Sequence, residues 1–489
     1  NGGKRLKKLR GKTPYEFVCA EYAQNPGIFI RDPTHDFPGL YTYATFFPTP
    51  RCGWYLWGSL LLSLPYPSYP MRISRLADQM SGSEIIRIGN AVSEQIRQGE
   101  TICNLTIGDF DPKLFPIPTE LREGVIAAYQ AGQTNYPPAA GTADLRQAAA
   151  DFLKNRLGLS YSPADELLVA GGSRPLIYAA YLAIVDPGDR VVFPVPSWNN
   201  NHYCHLSGAA PVMVPTQPEN DFMPTAAELA PKLKGATLLA LCSPLNPTGT
   251  VFSKQVLEEI CDLVLVENQR RGPDEKPLYI LYDQIYWLLT FGQTQHYDPV
   301  SLRPALRDYV VYIDGISKCF AATGVRVGYA FGPKVVLDKM KSLLGHIGAW
   351  APKAEQVATA KLLPQATAVN DYLTGFKAGL QASLEAAYHG LKDLRAQGYP
   401  VDAIVPAGAI YLTAKIDALG RTTATGEVLA TTKEITSYLL TEAGLAVVPF
   451  SAFGAEASDP WFRLSVGAEP LASIQAALPR LQAALDKLT

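Results

Sequence analysis

Apolar positions along the chain change their spacing several times, and the changes mark out its elements. From about 119 to 365, short continuous apolar runs alternate with stretches in which apolar residues recur at helical spacing. A continuous run closed by Gly, Pro or Asn reads as a strand buried on both faces. The strands predicted this way are 167–170 (LLVA), RVVFPVP ending at Trp198, ATLLALCSP, PLYILYD and DYVVYIDGISK. The helices predicted between them include 119–131, 144–157 and 254–270. This alternation predicts an α/β fold, with a large domain holding a mostly parallel sheet flanked by helices. Beyond about 366 the pattern mixes. A long helical stretch at 370–397 precedes AGAIYLTAKID, a helix near 430–443, the strand WFRLSVG and a last helix at 471–487. A smaller α+β domain is expected there.

The N-terminal part follows neither pattern. Residues 1–12 carry six basic residues and no acid, and 34–70 are rich in Pro, Tyr and Phe without a period. At Met71 an amphipathic stretch begins, with Ile73, Leu76, Met80, Ile85, Ile88 and Val92 near helical spacing. Residues 102–118 (ICNLTIGDFDPKLFPIP) read as a short strand and a Pro-punctuated loop. The expected division is a foreign or disordered leader at 1–70, a segment at 71–118 that joins the small domain, a large domain at 119–365 and the small domain at 366–489.

Length and composition narrow the function. A chain of 489 residues suffices for two or three domains. A net charge of −2 gives no field that favours nucleic acid or membrane. No apolar run reaches the roughly 20 residues of a membrane span. The seven cysteines are scattered, odd in number and free of C-x-x-C spacing. That speaks against a disulfide framework or a zinc site, and for a reducing, cytoplasmic setting.

The polar residues that interrupt the pattern fall at the C-terminal ends of predicted strands, the edge where open α/β sheets bind ligands. Gly171, Gly172 and Ser173 join a strand to a helix, which aims backbone N–H groups and a hydroxyl at an anion. Trp198 is either core or a platform for a flat ring. Asn246 precedes a proline, which holds it extended. Asp283 ends a buried strand with Tyr286 three residues on, and a buried acid needs a cation. Ser317 and Lys318 lie among small and apolar residues, a setting that favours an amine able to shed its proton. Such an amine can form a Schiff base with an aldehyde, and pyridoxal phosphate is the common aldehyde cofactor. Arg326 offers a guanidinium fork that matches a phosphate. Gly108, at the end of a short strand, is a turn residue or a place where backbone nears a ligand. Tyr136 sits in a Pro-rich turn. Arg463 interrupts an apolar strand with no acid at hand, so a ligand carboxylate is a candidate partner.

The motifs SPLNPTG, YDQIYW, SKCFAATGVRVGYAFGP and FRLSVG, in this order, make Met71–Thr489 resemble a class I/II aminotransferase of the fold-type I pyridoxal-phosphate superfamily, of the aspartate aminotransferase kind. The resemblance implies that the large domain binds pyridoxal 5'-phosphate. Lys318 would be the Schiff-base lysine and the general base and acid, with Asp283 keeping the pyridine nitrogen protonated. Asn246 and Tyr286 would reach the ring oxygen and Trp198 would stack on the ring. Gly172, Ser173 and Arg326 would bind the phosphate, and Ser317 would also belong to the cofactor site. Gly108, Arg463, Trp198 and Asn246 would face the substrate, with Gly108 and Arg463 on its α-carboxylate. Tyr136 would reach the phosphate in a neighbouring subunit, which implies a homodimer with shared sites.

The implied reaction moves an amino group between an L-amino acid, aspartate-like favoured, and a 2-oxo acid such as 2-oxoglutarate. Residues 341–356 lack the second arginine that aspartate-specific relatives often bring from the partner subunit, which leaves Arg174, His202 or Lys353 for that role. Phe450, where small residues are commoner, would narrow the pocket. A C–S lyase or decarboxylase of this fold would use the same lysine. A ligand-sensing regulator would add an N-terminal helix-turn-helix, and 1–70 show no such pair of helices. Residues 11–42 resemble the C-terminal tail of an integrase-type transposase without its acidic triad. The expectation is a fused or mis-started leader before an enzyme that starts at Met71.

Overall fold

The computed structural model describes residues 73–489, apart from Ser81 and Ser83. The leader expected at 1–70, its transposase-like segment and the start at Met71 lie outside these residues.

Seven strands form one sheet: β2 (Leu167–Ala170), β3 (Arg190–Val195), β4 (Ala210–Pro215), β5 (Ala236–Cys242), β6 (Tyr279–Asp283), β7 (Val310–Gly315) and β8 (Gly328–Phe331), numbered after a short β1 (Cys103–Asn104). Their order is β2-β8-β7-β6-β5-β3-β4. The pairs from β4 across to β7 are parallel, and β8 runs antiparallel to both of its neighbours. Neighbouring residues of one strand feed two different cores, which is why these strands read as unbroken apolar runs. Val192, Leu239 and Ile280 pack with Leu257, Ile260 and Val264 of the helix Lys254–Arg270. Val191, Leu238 and Leu281 pack on the opposite face with Leu176 and Tyr181 of the helix Ser173–Ile184 and Met340 of the helix Lys334–Ile347. Each fully buried Leu, Ile or Val side chain contributes roughly 1.5–3 kcal/mol. Helix starts are fixed locally, as where Ser253 Oγ accepts from the Val256 N–H and Thr142 Oγ1 from the Leu145 N–H.

A second, antiparallel sheet has the order β12-β13-β10-β9, from β9 (Val401–Ala403), β10 (Tyr411–Ile416), β12 (Val448–Pro449) and β13 (Trp461–Ser465). Leu412 and Leu464 of this sheet share a core with Leu384 and Leu391 of the helix Ala366–Ala396 and Leu481 of the helix Leu471–Asp486. Thr413 Oγ1 donates to the Thr248 carbonyl (2.8 Å), which ties β10 to the turn that follows β5.

Three expectations need correcting. The stretch from Ile73 is two helices, Arg75–Asp78 and Glu84–Arg97, and Ile88 and Val92 bury while Ile73, Leu76 and Met80 stay exposed. The strand expected at the start of 102–118 shrinks to β1, which pairs in parallel with β11 (Leu445–Ala446). It stops where the Glu469 carboxylate accepts the Asn104 N–H (2.8 Å). The strands before Trp198 and Lys318 end at Val195 and Gly315, so both residues sit on turns beyond their strands.

Candidate active site

A cavity of about 820 Å³ opens at the C-terminal edge of β3, β5, β6 and β7. Ser173, Trp198, Asn246, Asp283, Ser317 and Lys318 reach it because each stands at or just past the end of a parallel strand. Arg326 reaches the same edge by another route. Because β8 runs antiparallel, its N-terminal end lies there, and Arg326 precedes it. Gly108, Tyr286 and Arg463 complete the set on the wall. Gly172 lies behind the wall against Arg326. Tyr136 is outside the cavity, 81% exposed, with its ring edge-on to Trp350.

Lys318 Nζ donates to the Gly108 carbonyl (2.6 Å). Burial lowers its pKa to about 8; the Asp109 carboxylate opposes the shift, and the guanidiniums of Arg463, Arg174 and Arg326 add to it. Asp283 moves the other way. Burial raises it to about 6, against a bond to its Oδ1 from the Ile285 N–H (3.1 Å) and the Lys318 charge. Behind it, Asp314 is fully buried and pushed up to about 7 by burial, although its oxygens accept from the Gly315 N–H (2.7 Å), Trp287 Nε1 (2.8 Å) and Gln284 Nε2 (3.2 Å).

Arg463 is 1% exposed, and its partners are neutral. Nη2 donates to the Thr106 carbonyl (2.6 Å) and Nη1 to Asn246 Oδ1 (3.2 Å), while Nε has no partner. The guanidinium packs over the rings of Tyr411 (4.7 Å) and Phe453 (5.0 Å), and burial lowers its pKa. Among the described residues no carboxylate lies within ion-pairing distance of it. A buried cation in that state needs an anion from outside the chain.

The anion cradle is the turn between β2 and the helix Ser173–Ile184. Arg326 Nη2 donates to the Gly171 carbonyl (2.9 Å) and Nη1 to the Thr323 carbonyl (2.7 Å). Gly172 has φ of +95°, and a Cβ there would strike the Arg326 guanidinium. The position therefore requires glycine twice over, for its backbone and for its space.

Tyr411 was not singled out from the sequence. Its hydroxyl shares a 2.6 Å hydrogen bond with that of Tyr286, and both line the cavity. A tyrosine in an apolar strand carries no signal that separates core from site. Asp109, whose Oδ1 accepts from Thr323 Oγ1 (2.5 Å), was also missed, on a loop too irregular to place. Of the three residues named as a second carboxylate holder, Arg174 and His202 line the cavity. Lys353 does not, and donates to Asn135 Oδ1 (2.7 Å).

These residues fit pyridoxal phosphate. A lysine of lowered pKa suits an aldehyde, a strand-end acid with one oxygen bonded to a single backbone N–H suits a ring nitrogen, and the glycine turn with Arg326 suits a phosphate. Among the described residues, no cluster of His, Cys, Asp and Glu has the make-up of a metal site, and no helix is long and apolar enough to cross a membrane.

The family model for aminotransferase class I and II matches residues 100–481. The aspartate aminotransferase of Rhizobium meliloti (strain 1021) is 29% identical over 412 residues, 83% of this chain and 94% of that protein. The bifunctional aspartate aminotransferase and glutamate/aspartate-prephenate aminotransferase of Petunia hybrida is 30% identical over 441 residues, 87% of this chain and 85% of its own. The crystal structure of the aspartate aminotransferase from Rhizobium meliloti superposes with a TM-score of 0.77 at 28% identity, covering 86% of this chain and all of that one.

Proposed function

Because the chain belongs to the class I and II aminotransferase family, and so is a pyridoxal-phosphate-dependent transaminase, we propose that it moves the amino group of an aspartate-like L-amino acid to a 2-oxo acid such as 2-oxoglutarate. The observation that carries this reading is one cavity holding a lysine of lowered pKa, a strand-end acid and a buried arginine whose partners are all neutral. The names of the relatives favour aspartate over purely aromatic substrates.

When bound, pyridoxal phosphate supplies an aldehyde for the amino group and a cationic ring that draws electrons from the substrate's Cα–H bond. Lys318 would hold its aldehyde, Asp283 its ring nitrogen, and Gly172, Ser173 and Arg326 its phosphate, with Ser317 also lining the cofactor site. Trp198, Asn246 and Tyr286 would border the ring. Asp283, at about 6, is ionised at neutral pH and so is able to keep a proton on that nitrogen. Arg463 orients the substrate by its α-carboxylate, with the Gly108 backbone beside it. Lys318 Nζ, at about 8, has an appreciable neutral fraction near neutral pH, takes the Cα proton and holds it until it is returned.

Residues 119–365 would form the cofactor-binding domain, with 71–118 and 366–489 as the smaller one. Tyr136, exposed on its turn, would complete the phosphate site of a partner subunit in a homodimer. The five cysteines among the described residues have no disulfide partner there, which suits a cytoplasmic location.

Lys318→Ala is expected to abolish turnover and the absorbance band of the covalently held cofactor. An intact band in that variant would remove Lys318 from the role. With an amino donor and no acceptor, the wild type should release one 2-oxo acid per site and stop. Continuous release of the 2-oxo acid would make it an eliminating lyase instead, and continuous release of CO2 and an amine a decarboxylase.

A further inference from the structure

One buried hydroxyl at the cavity has no part in the scheme above. Tyr411 opens β10 and is 1% exposed. Its hydroxyl lies 2.6 Å from that of Tyr286, and the two rings meet edge-on with centroids 5.6 Å apart. A Cβ on Gly108 would fall 2.8 Å from the same oxygen, and the Arg463 guanidinium lies 4.7 Å over the ring. Tyr411 thus stands against three residues that the scheme assigns to cofactor and substrate.

The backbone is bent and tied to bring it there. Ala409 is fully buried at φ of +61°, a left-handed conformation that residues other than glycine rarely adopt. Its N–H donates to the carbonyl of Leu289, three residues past Tyr286 (2.8 Å). The Gly408 N–H donates to the Gly249 carbonyl (2.9 Å), and the Tyr411 carbonyl fills the space a side chain at Gly249 would need. Backbone bonds therefore fix Tyr411 relative to Tyr286, and the hydroxyl contact is built in.

Two hydroxyls in contact share one proton between them, so one donates and the other accepts. Tyr286 follows Asp283 by three residues, and Lys318 Nζ lies 5.9 Å from its ring centroid. With the aldehyde on Lys318 and the ring nitrogen on Asp283, the Tyr286 hydroxyl would meet the anionic oxygen that pyridoxal phosphate carries beside its aldehyde. A Tyr286 that gives its proton to that oxygen must accept from Tyr411. The acidities agree with this direction. Burial raises both hydroxyls, but Arg463 and the shared bond draw Tyr411 back down, while Tyr411 pushes Tyr286 higher. The more acidic hydroxyl is the donor. Cys242 and Asp109 also face the pair, and both have partners elsewhere. Cys242 Sγ donates to the Pro244 carbonyl (3.3 Å), and Asp109 Oδ1 accepts from Thr323 Oγ1 and the Phe110 N–H.

We propose that Tyr411 is a positioning residue whose hydroxyl donates to Tyr286 and so turns the Tyr286 proton toward the cofactor's ring oxygen. This rests on the transaminase reading above and deepens it. A hydroxyl that accepts a hydrogen bond is a better donor. Without Tyr411, Tyr286 draws less charge from the ring oxygen, and the more negative oxygen favours a proton on the neighbouring nitrogen that joins Lys318 to the cofactor.

The test follows the cofactor's absorbance band across pH in holoenzymes of wild type, Tyr411→Phe, Tyr286→Phe and the double variant. Tyr411→Phe should raise the pH midpoint of the band by about half a unit, and Tyr286→Phe by about one. The double variant should match Tyr286→Phe, because Tyr411 acts through that hydroxyl. Tyr411→3-fluorotyrosine, a more acidic phenol of nearly the same shape, should lower the midpoint, and it gives the answer even where Tyr411→Phe fails to fold. Affinity for propionate, a plain carboxylate for Arg463, should stay within about twofold in Tyr411→Phe, since the ring under the guanidinium remains. A tyrosine that only fills space would change the melting temperature and leave the midpoint in place, and that result overturns the proposal. Shifts that add in the double variant overturn it too, because Tyr411 would then act by a route apart from Tyr286. So does a fluorotyrosine variant whose midpoint rises or stays. In each of these cases the transaminase reading stands. A wild type that takes up no cofactor defeats that reading, and the proposal with it.

Discussion

Asp283 ends β6 with its Oδ1 accepting from the Ile285 N–H, and burial raises its pKa from 3.8 to about 6. The folded chain therefore holds this proton more tightly than the unfolded chain does. Its contribution to stability is fullest below pH 4 and is lost as the pH rises to about 6. In cofactor-stripped protein, Asp283→Asn should then be the more stable form, by roughly 3 kcal/mol above pH 6. The advantage should fade below pH 4. Turnover of the same variant should collapse, because a neutral amide cannot hold a proton on the ring nitrogen. Melting curves of the two stripped proteins across pH 3–7 give the comparison. A difference that does not change with pH would mean that Asp283 is not the buried, strained acid described here. Arg463 shows the same logic with the opposite charge: both groups are unsatisfied in the chain alone, and both belong to a ligand.

The turn between β2 and the helix Ser173–Ile184 depends on Gly172, at φ +95° and in contact with Arg326. Gly172→Ala would strain the backbone by about 1–3 kcal/mol and push the guanidinium off the Gly171 carbonyl. The expected result is a fall in cofactor affinity of at least about tenfold, seen by titration of stripped protein, with a small loss in melting temperature. Equal affinity would show that this turn does not hold the phosphate. The turn was legible in the sequence because strand, glycine pair and hydroxyl stand together there. The central strands were legible for the same kind of local reason, since residues such as Leu238 and Leu239 feed cores on opposite faces and leave no polar gap. Other features were not legible, because long-range pairing decides them. β1 exists only through Leu445 and Ala446, over three hundred residues away in sequence. The helix break between Asp78 and Glu84 gives Ile73 and Leu76 the spacing of a buried face without a core to meet. Tyr411 enters the site through Tyr286, a pairing that no local pattern contains.

At the scale of the whole molecule, Tyr136 and Lys353 remain on the outside of a chain whose cavity is otherwise lined by its own residues. If the protein is a symmetric dimer, each site combines Lys318 of one protomer with Tyr136 of the other. Two damaged homodimers, Lys318→Ala and Tyr136→Ala, would then repair each other in part. In a mixed dimer, one site pairs both lesions and is dead. The other pairs an intact Lys318 with an intact Tyr136. Equal amounts reassorted at random give mixed molecules in half of the population, each with one native site of two. Activity should therefore recover to about a quarter of wild type after mild dissociation and reassociation. The two variants assayed separately should give none from Lys318→Ala and a reduced rate with weaker cofactor retention from Tyr136→Ala. Recovery cannot occur if each protomer holds a complete site of its own, because no exchange of partners would bring an intact lysine to an intact tyrosine. A reassorted mixture no more active than the mean of its two parents would therefore mean that the exposed tyrosine serves another purpose.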